Sequence, residues 1–119
     1  MIFPVIGLIL GIYLGLSLDI IVPPGYIVYL AMAILAGLDS VFGAYLSSLN
    51  NNFKLSIFVT GFFGNAAIAV ALTFIGSLLG MDFSLAAIVV FGTRLFNNFA
   101  TIRRILINKG LNRKTNTNA

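Results

Sequence analysis

Asp39 and Arg94 are charges of opposite sign set deep inside long apolar runs, and they are the residues from which any chemistry of this chain must be built. Asn65, Asn97 and Asn98 are polar residues within the same kind of run. The rest of the catalytic vocabulary is missing. The chain has no histidine, cysteine or glutamate, and its carboxylates are Asp19, Asp39 and Asp82. That leaves no pairing of nucleophile with base, no thiolate or imidazole ligand set and no disulfide. The residue types therefore point to a non-enzyme with no metal site and no cofactor. Two uses remain for the Asp39–Arg94 pair: a structural ion pair, or the polar lining of an ion or solute pathway.

The elements that must hold these residues follow from composition and punctuation. Of 119 residues, 60% are hydrophobic and 8% charged, a balance that a soluble domain of this size could not carry at its surface. Four apolar stretches stand out, at 2–18, 26–49, 55–79 and 83–102. They are separated by Pro23-Pro24-Gly25, by Asn50-Asn51-Asn52 and by Gly80-Met81-Asp82. Each is about 17–25 residues, the length a helix needs to cross the hydrocarbon. Backbone amides must be satisfied in lipid, so runs of this length are helices. The expected fold is an all-α, polytopic membrane bundle of four transmembrane helices over 1–107. Residues 108–119 form a basic tail expected to be disordered. A three-span alternative lays the first run in the interface. That run lacks a positively charged n-region, so it reads as a retained helix rather than a cleaved signal peptide.

Charge placement orients the bundle. With four spans, Lys54, Arg103, Arg104, Lys109, Arg113 and Lys114 gather on one side, and Asp19 and Asp82 on the other. The positive-inside rule then places both termini in the cytoplasm, in a multi-pass membrane protein. Arg103, Arg104, Lys109, Arg113 and Lys114 are a basic group suited to an anionic membrane surface. Nucleic acid is not an expected partner, because topology already accounts for the net charge of +4.

Depth then brings the polar residues together. At 1.5 Å per residue, Asp39 lies about 20 Å below Tyr26 and Arg94 about 17 Å below Phe83, while Asn65 rises about 15 Å from Leu55. In a hydrocarbon core about 30 Å thick these share one layer. Asp39 and Arg94 are expected to pair, with Asn65 beside them and with Asn97 or Asn98 extending a polar stripe through Thr101 and Arg104. Gly7, Gly11 and Gly15 recur every fourth residue and predict a close helix contact, within the chain or with another. Leu14-Gly15-Leu16-Ser17-Leu18-Asp19 and the run Ile75 to Asp82 hint at two repeated hairpins.

Several motifs in order carry a family resemblance. Ala36-Gly-Leu-Asp-Ser-Val-Phe-Gly43, Gly61-Phe-Phe-Gly-Asn65, Phe91-Gly-Thr-Arg-Leu-Phe-Asn-Asn98 and Ile102-Arg-Arg-Ile105 resemble the small basic protein family, short integral membrane proteins found mainly in Gram-positive bacteria. The likeness runs from about Pro4 to Leu106. It implies motif roles for Asp39, Phe42, Gly43, Gly61, Phe62, Asn65, Gly92, Arg94, Asn98, Arg103 and Arg104. Gly43 and Gly61 join Gly7, Gly11 and Gly15 as candidate helix-packing positions. The sequence departs from the family at Ala44-Tyr45-Leu46, where members often carry an arginine. The resemblance brings no established activity; by gene association it implies a role in cell-envelope assembly or cell division. The expected function is a non-catalytic membrane subunit or scaffold that binds other membrane proteins or itself in the bilayer. The alternative is a small transporter or channel using Asp39, Arg94 and Asn65.

Overall fold

The computed structural model describes residues 2–118, as four helices and a single 3-10 turn. Helix α1 covers Ile2–Ser17, α2 Ile27–Leu49, α3 Leu55–Leu79 and α4 Ser84–Asn118, with the 3-10 turn Pro24–Tyr26 leading into α2. No strand occurs among the described residues. The protein is an all-helical bundle of the membrane type, and the breaks between helices have local causes.

Proline starts helices here and does not interrupt them. Pro4 lies in the first turn of α1 and Pro24 opens the 3-10 turn, where the missing amide hydrogen would have had no helical acceptor. The α2–α3 link turns on Asn51 at φ 60°, a left-handed conformation that asparagine tolerates better than most residues. The Asn52 amide donates to the Ser47 carbonyl at 2.8 Å and ties that link to the end of α2. Helix α3 stops at Gly80, left-handed at φ 67°, and the Met81 amide closes back on the Gly76 carbonyl at 2.9 Å. Asp82 then starts α4 by accepting hydrogen bonds from the Leu85 amide and the Ser84 hydroxyl.

Helix α2 is the centre of the packing. It runs between α3 and α4, which approach each other only slightly. The core is Met32 and Ala36 of α2, Ala69 of α3, and Ala87 and Phe91 of α4, so alanines make up most of it. Small side chains let backbones come close, and in lipid that dispersion contact replaces the missing hydrophobic drive. Large apolar residues instead cover the outside, Phe63 at 66% and Phe96 at 78% exposure among them. An apolar exterior of this extent has no place in water and suits lipid tails.

Two expectations require correction. Helices α2, α3 and α4 are long and apolar enough to cross a membrane, but α1, at 16 residues, falls short. It touches the rest of the bundle only along α2, so the packed unit is three helices with a fourth leaning on it. The second correction concerns the tail. Residues 108–118 continue α4 as helix, whereas their polar composition suggested disorder; Ala119 lies outside the described residues. Extending an existing helix adds one hydrogen bond per residue and needs no new nucleus. Ile107 and Leu111 also keep a helical spacing, and no proline intervenes. At 1.5 Å per residue α4 is about 52 Å long, some 20 Å more than the hydrocarbon requires.

Candidate functional site

The mid-helix polar layer is organised by α2. Asp39 faces inward from its most enclosed stretch and is fully buried, at 0% exposure. Arg94, near the middle of the apolar part of α4, brings Nη2 to 3.2 Å from Asp39 Oδ2. The guanidinium arrives off the hydrogen-bonding direction, so the contact is an ion pair, and neither carboxylate oxygen accepts a hydrogen bond among the described residues. The two ends are unequally sheltered. The Arg94 side chain is 54% exposed, on a surface that otherwise suits lipid.

The asparagines divide differently from the expected single layer. Asn65 does not join the ion pair: its amide donates to the Ser40 hydroxyl at 3.5 Å, one residue beyond Asp39. Asn98 is half-buried, and its amide nitrogen lies close to Gly43, 3.8 Å from where a Cβ would stand. Asn97 is exposed and makes no hydrogen bond through its side chain among the described residues. Thr93, Arg94, Asn97, Thr101 and Arg104 fall within about 100° of one another around α4, along one edge of the helix. All but Thr101 are exposed, and Thr101 is half-buried. The threonines are satisfied locally, with Thr93 donating to the Val89 carbonyl at 2.7 Å and Thr101 to the Asn97 carbonyl at 2.9 Å. Arg94 and Asn97 are the groups within the apolar part of this edge with donors still to place, while Arg104 lies at the basic end.

The glycines divide as well. Nothing stands within 4 Å of a Cβ built at Gly7, Gly11, Gly15 or Gly61, so these are not tight contacts within the chain. The close approaches are elsewhere. A Cβ on Gly37 would meet the Phe62 ring at 3.1 Å, and one on Gly76 would meet the Met81 carbonyl oxygen at 2.5 Å. Glycine spacing shows which face of a helix is bare but not whether a neighbour reaches it. Gly76 carried a usable signal, since it sits four residues before the glycine that caps α3.

Among the basic residues, Lys54 sits at the start of α3, and Arg103, Arg104, Lys109, Arg113 and Lys114 are exposed along the far end of α4. The helix order puts all six at one end of the molecule. Asp19 and Asp82 are at the other.

Fold and site together define a small helical membrane protein with an ion pair inside and a polar edge outside. The family model described as protein of unknown function (DUF1290) matches residues 22–107, and this chain belongs to that family. The matched segment holds α2, α3, most of α4 and the whole ion-paired layer, and leaves out α1. The chain is similar to the small basic protein of Bacillus subtilis (strain 168), with 45% identity over 106 residues, 89% of this chain and 88% of that one. Uncharacterised proteins of Mycobacterium bovis and of Mycobacterium tuberculosis are each 39% identical over 102 residues, 84% of either chain. No solved structure matches the chain.

Proposed function

We propose that this protein is a non-catalytic membrane subunit that docks onto another membrane protein, or onto itself, through the polar edge of α4. The observation that carries this reading is Arg94: paired on its inner side with Asp39, yet 54% exposed near the middle of the apolar part of α4. A charge at the bilayer centre costs about 2.5–3.5 kcal/mol on the insertion scale, and polar groups there normally face protein. Asn97, one turn further on, presents both amide donors and a carbonyl acceptor on the same edge. A neighbouring helix with polar side chains at that depth would satisfy both. The setting we assign, from the small-basic-protein resemblance alone, is cell-envelope assembly or division in the bacterial cytoplasmic membrane.

A photo-crosslinking residue tests the reading. Placed at Asn97 in living cells, it should give one discrete protein adduct, while the same residue at Phe96, on the lipid side of α4, should give none. An adduct at twice the protein's mass would identify a second copy as the partner. If neither position forms an adduct, and the purified protein in liposomes carries a proton-coupled flux that Asp39→Asn abolishes, the transport alternative replaces this reading.

Orientation can be checked separately. The six basic residues at one end and the two aspartates at the other support a reading in which that basic end is cytoplasmic. A cysteine introduced at Gly25 should therefore react with an impermeant thiol reagent on intact cells, and one at Asn51 should react only after lysis. The reverse pattern would invert the topology.

A further inference from the structure

A second feature lies apart from the ion pair. Helix α1 leans on α2 without closing onto α3, leaving an open groove of about 880 Å³ between the three helices. This is within the range of pockets that enclose small ligands, roughly 300–1,000 Å³. Its floor is Gly37, Leu38 and Val41 of α2, and its walls are α1 from Phe3 to Ile12 and α3 from Leu55 to Ala66. Every lining residue is apolar or glycine. Gly7 and Gly11 widen it, since no atom lies within 4 Å of a Cβ built at either. Phe58, Phe62 and Phe63 pack ring on ring along the α3 wall, with centroids 5.8 Å and 5.3 Å apart in sequence, and keep that wall stiff.

We propose that the groove holds an acyl tail of an anionic phospholipid whose headgroup phosphate is met by Lys54. Depth selects this occupant over a transmembrane helix. From Phe3 to Ile12 the groove follows about 14 Å of α1, close to half of a hydrocarbon core about 30 Å thick. Tyr13 to Ser17 of α1, and α3 beyond Ala66, take no part in it. A helix that crosses the bilayer would need a trough along the whole thickness. A lipid tail needs one leaflet. The end of the groove marked by Phe3 and Leu55 is the basic end of the molecule, and exposed Lys54 adjoins Leu55 there. An ammonium at the headgroup level and apolar walls below it match a lipid with a phosphate head and a hydrocarbon tail. With the basic end cytoplasmic, the lipid belongs to the inner leaflet. The proposal does not depend on the α4 edge having a partner.

Native mass spectrometry of the protein released from micelles doped with phosphatidylglycerol or phosphatidylcholine reads this directly. The wild type should retain one phosphatidylglycerol, about fivefold in preference to phosphatidylcholine, in line with the attraction of a single lysine to an anionic surface. Lys54→Gln should remove the preference but keep the lipid. Gly11→Phe, which places a ring inside the groove, should remove the lipid, whereas Ile9→Phe on the opposite face of α1 should not. Should Gly11→Phe fail to fold, Gly7→Leu makes the same test. Lipid retained in full by the folded groove variant overturns the proposal. So does a groove variant that splits a dimer while its lipid count stays unchanged, which would give the groove to a second copy.

Discussion

Arg94→Gln is expected to cost about 3–5 kcal/mol of folding free energy, the usual penalty for leaving one partner of a buried ion pair without the other. The cost falls on Asp39, whose carboxylate is fully enclosed and accepts no hydrogen bond from any described residue. Asp39→Asn should be milder, about 2.5 kcal/mol, because the charge it strands is the half-exposed guanidinium, whose long stem can move toward the headgroups. The double variant should recover more than half of the summed loss, since it leaves no bare charge. Equilibrium unfolding in mixed micelles of the four proteins measures the coupling directly. Additive losses, or a larger cost for Asp39→Asn than for Arg94→Gln, would mean that the 3.2 Å approach does not govern stability.

The same cycle separates structure from recognition. The inner side of Arg94 serves the fold and its outer side faces the proposed partner. A double variant of wild-type stability that no longer forms the Asn97 adduct would assign the outer side to docking. One that keeps the adduct would show that docking does not need the Arg94 guanidinium, and would limit Arg94 to holding α4 on α2.

How far the sequence reached depends on what kind of information each feature needs. The ends of α2 and α3 are written locally, in Asn50-Asn51-Asn52 and in Gly80, so boundaries read from sequence fall on or near those in the structure. Depth needs only a residue count from each helix end, which is why Asp39 and Arg94 could be set at one level. Rotation about the helix axis is another matter. Asn65 is at the right depth, but the phase of α3 turns it to Ser40, and residue counts cannot supply that phase. Composition misjudged residues 108–118 because disorder statistics describe free segments, and this one grows from a helix already formed. The glycine run of α1 is limited for a related reason. A period of four fixes a face, whereas contact depends on where the next helix lies, and α1 is held by α2 alone.

Alanine should therefore have opposite effects at Gly11 and Gly76. In isolation, Gly→Ala inside a helix gains up to about 1 kcal/mol from the lower backbone entropy of alanine. At Gly11 nothing stands within 4 Å of the new methyl, so that gain should survive and the melting temperature should hold or rise. At Gly76 the methyl would lie 2.5 Å from the Met81 carbonyl oxygen and 3.0 Å from both the amide nitrogen and the Cβ of Phe83. Two of those three atoms are backbone, fixed by the left-handed turn at Gly80 and the hydrogen bond from the Met81 amide to the Gly76 carbonyl. They cannot swing aside as a flexible side chain would, so the turn must open, and overpacking of this kind costs about 1–3 kcal/mol. Gly76→Ala should thus destabilise after its propensity gain is counted, and Gly76→Leu should loosen the start of α4 enough to weaken the Asp39–Arg94 contact. Thermal unfolding in one detergent compares the two alanine variants directly. Equal shifts at Gly11 and Gly76 would show that the α3–α4 turn yields, and would remove the reason for glycine at that position.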